Sequence, residues 1–212
     1  MKLKERTKLY IAIGVIWLFH LSGILGIALG YKDWFITKTP LNFLACTILF
    51  IWVFPLFSLR KWMVFGLFFL TGMFAEWLGA NFSLLFGSYD YGENLGTKID
   101  GVPLFIGINW ALLTFVTATI ASRAHHNLWI KAILGAFLMV FLDFLMEQSA
   151  PSFDFWRFAG EVPIENYITW FALALCFHLV FQKAKIKGDY LISLHLFLAQ
   201  IVFFGFFMFC PF

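Results

Sequence analysis

The chain has 212 residues, of which 62% are hydrophobic and only 13% are charged, and its mean hydropathy is +0.86. A water-soluble domain is usually about half apolar and about a quarter charged, so this composition excludes a soluble fold and indicates a polytopic membrane protein. The formal net charge of +3 is modest, and membrane topology accounts for the basic segments without a nucleic-acid partner.

Long apolar runs predict the secondary structure, because a helix needs about 20 mainly apolar residues to cross a bilayer. Seven such runs predict an all-α integral membrane protein with seven transmembrane helices, folded as one domain over residues 1–212. The second and third runs are joined only by residues 59–61, which predicts a tight hairpin. The runs are 8–30, 41–59, 62–80, 103–122, 128–149, 164–182 and 190–210.

Lys and Arg predict the orientation of these helices, because short cytoplasmic loops carry an excess of both. With a cytoplasmic N-terminus, the outer loops hold only Lys32, Lys38, Lys98 and Arg157. The sequence therefore predicts an inside N-terminus and an outside C-terminus, in the cell inner (plasma) membrane. The inner segments then hold Lys2, Lys4, Arg6, Lys8, Arg60, Lys61, Arg123, Lys131, Lys183, Lys185 and Lys187.

Two outer loops, 81–102 and 150–163, are long, acidic and rich in Gly and Pro. Loops of this length in a compact protein are often functional. Each is followed by a Val-Pro pair that begins an apolar run, and each of these runs carries a Trp, at positions 110 and 170. This pattern predicts a parallel helix-loop-helix repeat that relates helices 3–4 to helices 5–6. Chance similarity between two helices that begin with Pro is the alternative.

Three carboxylic acids stand inside apolar runs: Glu76, Asp143 and Glu147. A charged group within a bilayer costs at least about 2.5–3.5 kcal/mol, so such residues indicate a functional site. Asp143 and Glu147 are four residues apart and face the same side of one helix. The predicted topology places all three acids at a similar depth under the outer loops, where they form a candidate acid–base cluster. The alternative is that they hold the helices together by hydrogen bonds.

Polar and aromatic residues close to these acids are candidate substrate-binding residues. Hydroxyl, indole and amide groups can donate hydrogen bonds, and aromatic faces can contact a cation. The alternative is that the tyrosines and tryptophans have no binding role and form an aromatic belt at the membrane surface. The candidates are Tyr89, Asp90, Tyr91, Asn109, Trp110, Trp156, Asn166 and Trp170.

Several chemistries are disfavoured by the sequence. The histidines form no cluster typical of a membrane di-iron enzyme, and the three cysteines match no zinc or redox spacing. The seventh run, 190–210, contains no Lys that could form a retinal Schiff base, and no nucleotide-binding glycine motif is present. We therefore expect no metal and no cofactor.

Two segments carry a resemblance to a known family. FAEWLGANFSLLFGSYDYGENLGTKIDGVPLFIGINW (74–110) and the interrupted stretch DFLMEQSAPSFDFW…GEVPIENYITW (143–170) resemble the membrane carotenoid-biosynthesis family that includes the CruF-type carotenoid 1,2-hydratases and the bisanhydrobacterioruberin hydratases. The shared pattern is an acid, a Gly-x-Tyr-x-Tyr loop, Gly-Val-Pro-Leu, and later Asp-x3-Glu. The chain departs from the pattern at Glu161, where a second Gly would stand, and at Gln148, where Pro would follow the Glu.

The resemblance implies an enzyme that adds water across the terminal C1=C2 bond of an acyclic carotenoid end group without a cofactor. An acid would protonate the alkene, aromatic faces would stabilise the tertiary carbocation, and water would attack C1. Asp143 and Glu147 would be the acid–base pair and Glu76 the third catalytic carboxyl group. The implied partners are a long apolar carotenoid that enters sideways from the bilayer, water, membrane lipid and other enzymes of the pathway.

Two other functional classes fit the same residues. A small proton-coupled transporter would also use intramembrane carboxyl groups and a repeat, although the polar residues crowd one side of the membrane rather than forming a path through it. A non-catalytic carotenoid-binding protein would use the same apolar surroundings.

Overall fold

The computed structural model describes residues 3–56 and 58–210 and confirms the predicted all-α fold. Lys2, which the charge pattern assigns to the inner side, lies outside the described residues, as does Phe57 of the second apolar run. The helices are α1 (Leu3–Ala28), α2 (Lys32–Ile36), α3 (Thr39–Val53), α4 (Leu59–Phe82), α5 (Leu104–Ala124), α6 (Leu128–Glu147), α7 (Ile164–Lys183) and α8 (Tyr190–Phe209). Short strands, which the sequence does not predict, are β1 (Tyr89–Tyr91), β2 (Lys98–Ile99), β3 (Val102–Pro103) and β4 (Trp156–Phe158).

Six of the described helices, all except α2 and α3, are long and apolar enough to cross a membrane, which makes the chain a multi-pass membrane protein. Helix α3 has 15 residues, so at 1.5 Å per residue it is about 22 Å long, whereas the hydrocarbon core is about 30 Å thick. It ends at Val53 because Phe54, which precedes Pro55, adopts an extended conformation. A seventh span and the orientation of the helices therefore stay predictions.

The predicted tight hairpin around residues 59–61 is wrong, because these residues form the first turn of α4. Helix α3 packs against α1, α5 and α8, whereas α4 packs against α5 and α7. Pro55 cannot donate a backbone hydrogen bond, and it therefore separates α3 from α4.

Helix α5 lies at the centre of the bundle. Its membrane-spanning window is 72% buried, against 33–39% for the other five spans. Small side chains such as Ala111 and Ala118 allow close packing, and the hydroxyl groups of Thr114 and Thr117 donate back to carbonyl groups one turn earlier at 2.7 Å. These polar groups are therefore satisfied within the helix, which allows them to be buried in an apolar setting.

The helices of the predicted repeat form two hairpins, α4–α5 and α6–α7, whose members pack against each other. The loops of the two hairpins are joined by antiparallel pairing of β1 with β4, in which Asp90 lies opposite Arg157. The indole rings of Trp110 and Trp170, the matching positions of the repeat, stack at 3.9 Å between centroids. The two hairpins therefore meet at these two tryptophans, and the repeat itself stays a prediction.

Candidate active site

The three intramembrane acids are brought together by the ends of two helices. Glu76 lies in the last two turns of α4, and Asp143 and Glu147 lie in the last two turns of α6. All three are buried and line one cavity of about 30 Å³, which we call the acid cavity. A volume of this size can hold one or two water molecules. Predicted binding residues in its wall are Tyr89, Tyr91, Asn109, Trp156, Asn166 and Trp170.

Glu76 accepts hydrogen bonds from three side chains. Its Oε2 atom accepts from the hydroxyl groups of Tyr89 and Tyr91, each at 2.6 Å, and its Oε1 atom accepts from the indole nitrogen of Trp110 at 2.8 Å. All three partners act as donors toward the carboxyl group. Such an arrangement stabilises the charged form of a carboxyl group whose residue is only 4% exposed.

Burial raises the pKa of the Tyr89 and Tyr91 hydroxyl groups above their ordinary value, and the neighbouring Glu76 carboxylate adds to the shift. Both groups therefore keep their protons at every physiological pH, so they serve as permanent hydrogen-bond donors rather than as acids.

Two glycines of α4 make room for the Glu76 partners. Gly72 and Gly79 lie one turn before and one turn after Glu76, on the same face of the helix. A Cβ atom at Gly72 would lie 2.6 Å from the Trp110 side chain, and one at Gly79 would lie 2.7 Å from the Tyr89 hydroxyl oxygen. The spacing of these glycines around Glu76 is a pattern in the sequence that marks this face of α4 as closely packed.

We expect Gly79→Ala to destabilise the protein by about 1–3 kcal/mol, because the added methyl group would push Tyr89 away from Glu76. Gly66→Ala is the matched control, since Gly66 lies in the same helix with no atom within 4 Å of its ideal Cβ position. That control should be neutral or slightly stabilising, by up to about 1 kcal/mol, from helix propensity. Thermal unfolding in detergent measures both, and equal stability of the two variants would contradict the role of Gly79.

Asp143 and Glu147 are linked by one amide group. The Asn166 Nδ2 atom donates to the Asp143 Oδ2 atom at 3.0 Å and to the Glu147 Oε1 atom at 3.4 Å. The Glu147 Oε2 atom also accepts from the Trp156 indole nitrogen at 2.8 Å. Asp143 thus has a single side-chain donor, against two for Glu147 and three for Glu76, so its carboxyl group is the least stabilised as an anion.

Aromatic rings form much of the remaining wall. The Trp170 ring borders the acid cavity and is supported from behind by its stack with Trp110. Phe86 and Phe158 line the cavity beside the tyrosines. Their faces carry negative potential, which can stabilise a cation formed between them.

Four lining residues were not among the candidates from the sequence: Phe86, Ile106, Met146 and Phe158. Apolar residues are so frequent in this chain, with 30 Phe alone, that no local pattern separates these from lipid-facing ones. Two of the predicted binding residues do not line the acid cavity. Asp90 is exposed, and Trp110 is buried beneath Trp170, where its indole nitrogen donates a hydrogen bond to Glu76.

The acid cavity shares wall residues with two other cavities. One is an apolar cavity of about 100 Å³, which shares Ile106, Asn109, Met146 and Trp156 with the acid cavity. The other is a polar surface cavity of about 370 Å³, lined by residues that include Asp90, Asp154 and Arg157, with Tyr91, Trp156 and Phe158 as the shared wall. The acid cavity therefore borders both an apolar space and a polar one.

The side chain of Asn109 lies at the boundary between the acid and apolar cavities and forms no hydrogen bond within the described part of the chain. Its amide group is thus available to a ligand or a water molecule.

Within residues 3–56 and 58–210, no group of three or more His, Cys, Asp or Glu side chains is arranged to hold a metal ion.

Comparison with known proteins gives one family. A family model described as "Carotenoid biosynthesis protein" matches residues 38–210, which includes every candidate site residue. Comparison with curated proteins and with solved structures gives no match.

Proposed function

Since the chain belongs to the carotenoid biosynthesis protein family, we propose that it is a carotenoid hydratase that adds water across the terminal C1=C2 bond of an acyclic end group. The main support is a water-sized cavity that is lined by three carboxyl groups and borders an apolar cavity and a polar surface cavity. A hydratase of an apolar alkene needs this combination of an acid, a place for water and an apolar binding region.

Asp143 is the proton donor in this proposal. Its carboxyl group is the least stabilised of the three as an anion, because Asn166 is its single side-chain donor. Carboxyl groups close together in an apolar medium favour sharing a proton over carrying separate charges. Asp143 transfers this proton to C2 of the terminal double bond, and the π electrons form the new C–H bond, which leaves a tertiary cation at C1.

The cation is stabilised by charge and by aromatic faces. Glu76 has the most hydrogen-bond donors of the three acids, and as a carboxylate it would supply a fixed negative charge in a site of low dielectric. The Trp170 face, backed by Trp110, supplies a cation–π contact worth about 2 kcal/mol when it is desolvated. Neither group has to rearrange when the charge forms.

Water completes the reaction with Glu147 as the base. The surface cavity and the acid cavity share Trp156 as a wall residue, and the Trp156 indole nitrogen bonds Glu147. The oxygen of a water molecule in the acid cavity bonds to C1, and Glu147 accepts the proton that this water releases. Transfer of that proton to Asp143 restores the starting state, so the sum is one water added to one alkene, with no change of oxidation state.

A proton-coupled transporter and a non-catalytic carotenoid-binding protein are the competing functions. The polar groups of the site occupy one end of the helices, where α4 and α6 end and α5 and α7 begin. This arrangement supports a site of chemistry at one membrane surface more than a path for ions across the membrane.

Expression of the chain in cells that accumulate lycopene tests the proposal. We expect a more polar product whose mass is higher by one water, detected by chromatography and mass spectrometry and absent from cells without the gene. Several acyclic carotenoids should be tried, because the end group rather than the whole chain is expected to define the reaction. Lack of product with all of them would overturn the proposed function, and unchanged pigment that copurifies with the protein would favour a carotenoid-binding role.

A further inference from the structure

A second, mainly apolar cavity adjoins the first on the side away from the acids. This lateral cavity, of about 320 Å³, lies between α1, α2, α3 and α8 and shares Thr39, Asn42 and Phe203 with the apolar cavity. The lateral, apolar and acid cavities therefore follow one another, and each shares wall residues with the next. Their order leads from the outer surface of α1 and α3 to the carboxyl groups.

The outer end of this path is surrounded by exposed apolar side chains. Trp34 is 61% exposed, Leu41 is 64% exposed and Phe19 is 39% exposed, and all three line the lateral cavity. Phe19 lies on the spanning helix α1, where exposed apolar residues face lipid. Trp34 and Leu41 lie on the shorter helices α2 and α3, and the exposed Lys38 lines the same cavity. The lateral cavity therefore opens beside the lipid-facing side of α1, with Lys38 at its polar rim.

The opposite side of the site is closed by stacked rings. Trp110 stacks on Trp170 between α5 and α7, and Phe68 stacks on Phe177 at 4.7 Å between α4 and α7. These side chains are buried and fill the space between the two hairpins. A long chain cannot reach the acids from that side without displacing them.

We infer that the isoprenoid chain of the substrate lies in the lateral and apolar cavities and passes between α1 and α3 into the bilayer, with its reactive end in the acid cavity. The inference rests on the proposed function for the identity of the ligand. A series of mainly apolar cavities that opens beside the lipid-facing side of α1 fits a long, rigid, apolar polyene, and the few polar groups at the inner end fit a reacting end group.

Gly23 of α1 offers a way to narrow this path. It lines the lateral cavity, and a Cβ atom built on it would lie 3.1 Å from the Phe203 ring. We expect Gly23→Leu to lower lycopene turnover by about tenfold or more, since the larger side chain occupies space that the chain needs. Gly14→Leu is the matched control, because Gly14 lies in the same helix with open space around it.

Asn42→Phe provides a second, independent obstruction, at the junction of the lateral and apolar cavities. 2-Methyl-2-butene, which has the same trisubstituted double bond in only five carbons, should be hydrated equally well by wild type and Gly23→Leu, because it fits in the acid and apolar cavities without the lateral one. Loss of lycopene turnover in both obstructed variants, with turnover of 2-methyl-2-butene kept in Gly23→Leu, supports the inference. Loss of turnover of both substrates in Gly23→Leu, or of neither, overturns it.

Retention of lycopene by the purified proteins separates this inference from the proposed function. Wild type and Gly14→Leu should copurify with more lycopene per protein, measured by absorbance, than Gly23→Leu and Asn42→Phe. This readout needs no catalysis, so it remains decisive if wild type hydrates no substrate and the proposed function fails. Equal pigment retention in all four proteins would overturn the assignment of the lateral cavity.

Discussion

Replacement of Asp143 by asparagine is expected to lower hydration of an acyclic carotenoid by about 10²- to 10⁴-fold, the usual contribution of a general acid. The amide has nearly the same shape and can still accept the hydrogen bond from Asn166, but it has no proton to transfer to C2. Expression level and thermal stability should therefore stay close to those of wild type. Turnover is measured with lycopene in isolated membranes.

The same variant is expected to abolish exchange of substrate hydrogen with solvent. In D₂O, a reversible protonation by Asp143 would place deuterium in recovered, unreacted carotenoid, which mass spectrometry detects. Glu165→Gln is the matched control, because Glu165 is exposed in the first turn of α7, next to Asn166, and undergoes the same acid-to-amide change. Asp143→Asn turnover equal to that of Glu165→Gln would exclude Asp143 as the acid.

Replacement of Glu147 by glutamine is the second large effect, with an expected loss of about 10²-fold or more in hydration. The reason is different, since Glu147 accepts the proton of the attacking water and the amide cannot. Asp143 still protonates the alkene in this variant, so the cation forms and returns its proton. Deuterium exchange into unreacted carotenoid should therefore persist while hydration is lost.

The contrast between the two variants tests the order of the roles. Exchange in Asp143→Asn but not in Glu147→Gln would reverse the assignment of acid and base. Hydration at the wild-type rate in both would exclude the pair from catalysis and leave the acids as hydrogen-bonding groups between helices. Trp156→Phe is a useful companion, because it removes one donor to Glu147 and keeps an aromatic ring in the wall.

The sequence by itself determined the fold class and the three acids. An apolar run long enough to cross a bilayer is a local property, so six of the seven predicted spans coincide with long helices. The exception is α3, which ends early because Pro55 disfavours a helical conformation at Phe54. This effect is also local, but the hydropathy of the run does not reveal it. Glu76, Asp143 and Glu147 stood out because charge in an apolar run is costly, and all three line one cavity.

Only the tertiary structure decided how these acids differ. Their hydrogen-bond donors come from other elements: β1 and α5 for Glu76, and β4 and α7 for Glu147. The number of donors at each carboxyl group depends on contacts between residues far apart in the chain, which no local pattern encodes. The cavities depend in the same way on the packing of several helices. The acids could thus be found from the sequence, whereas their separate roles, the water site and the path to the bilayer required the folded arrangement.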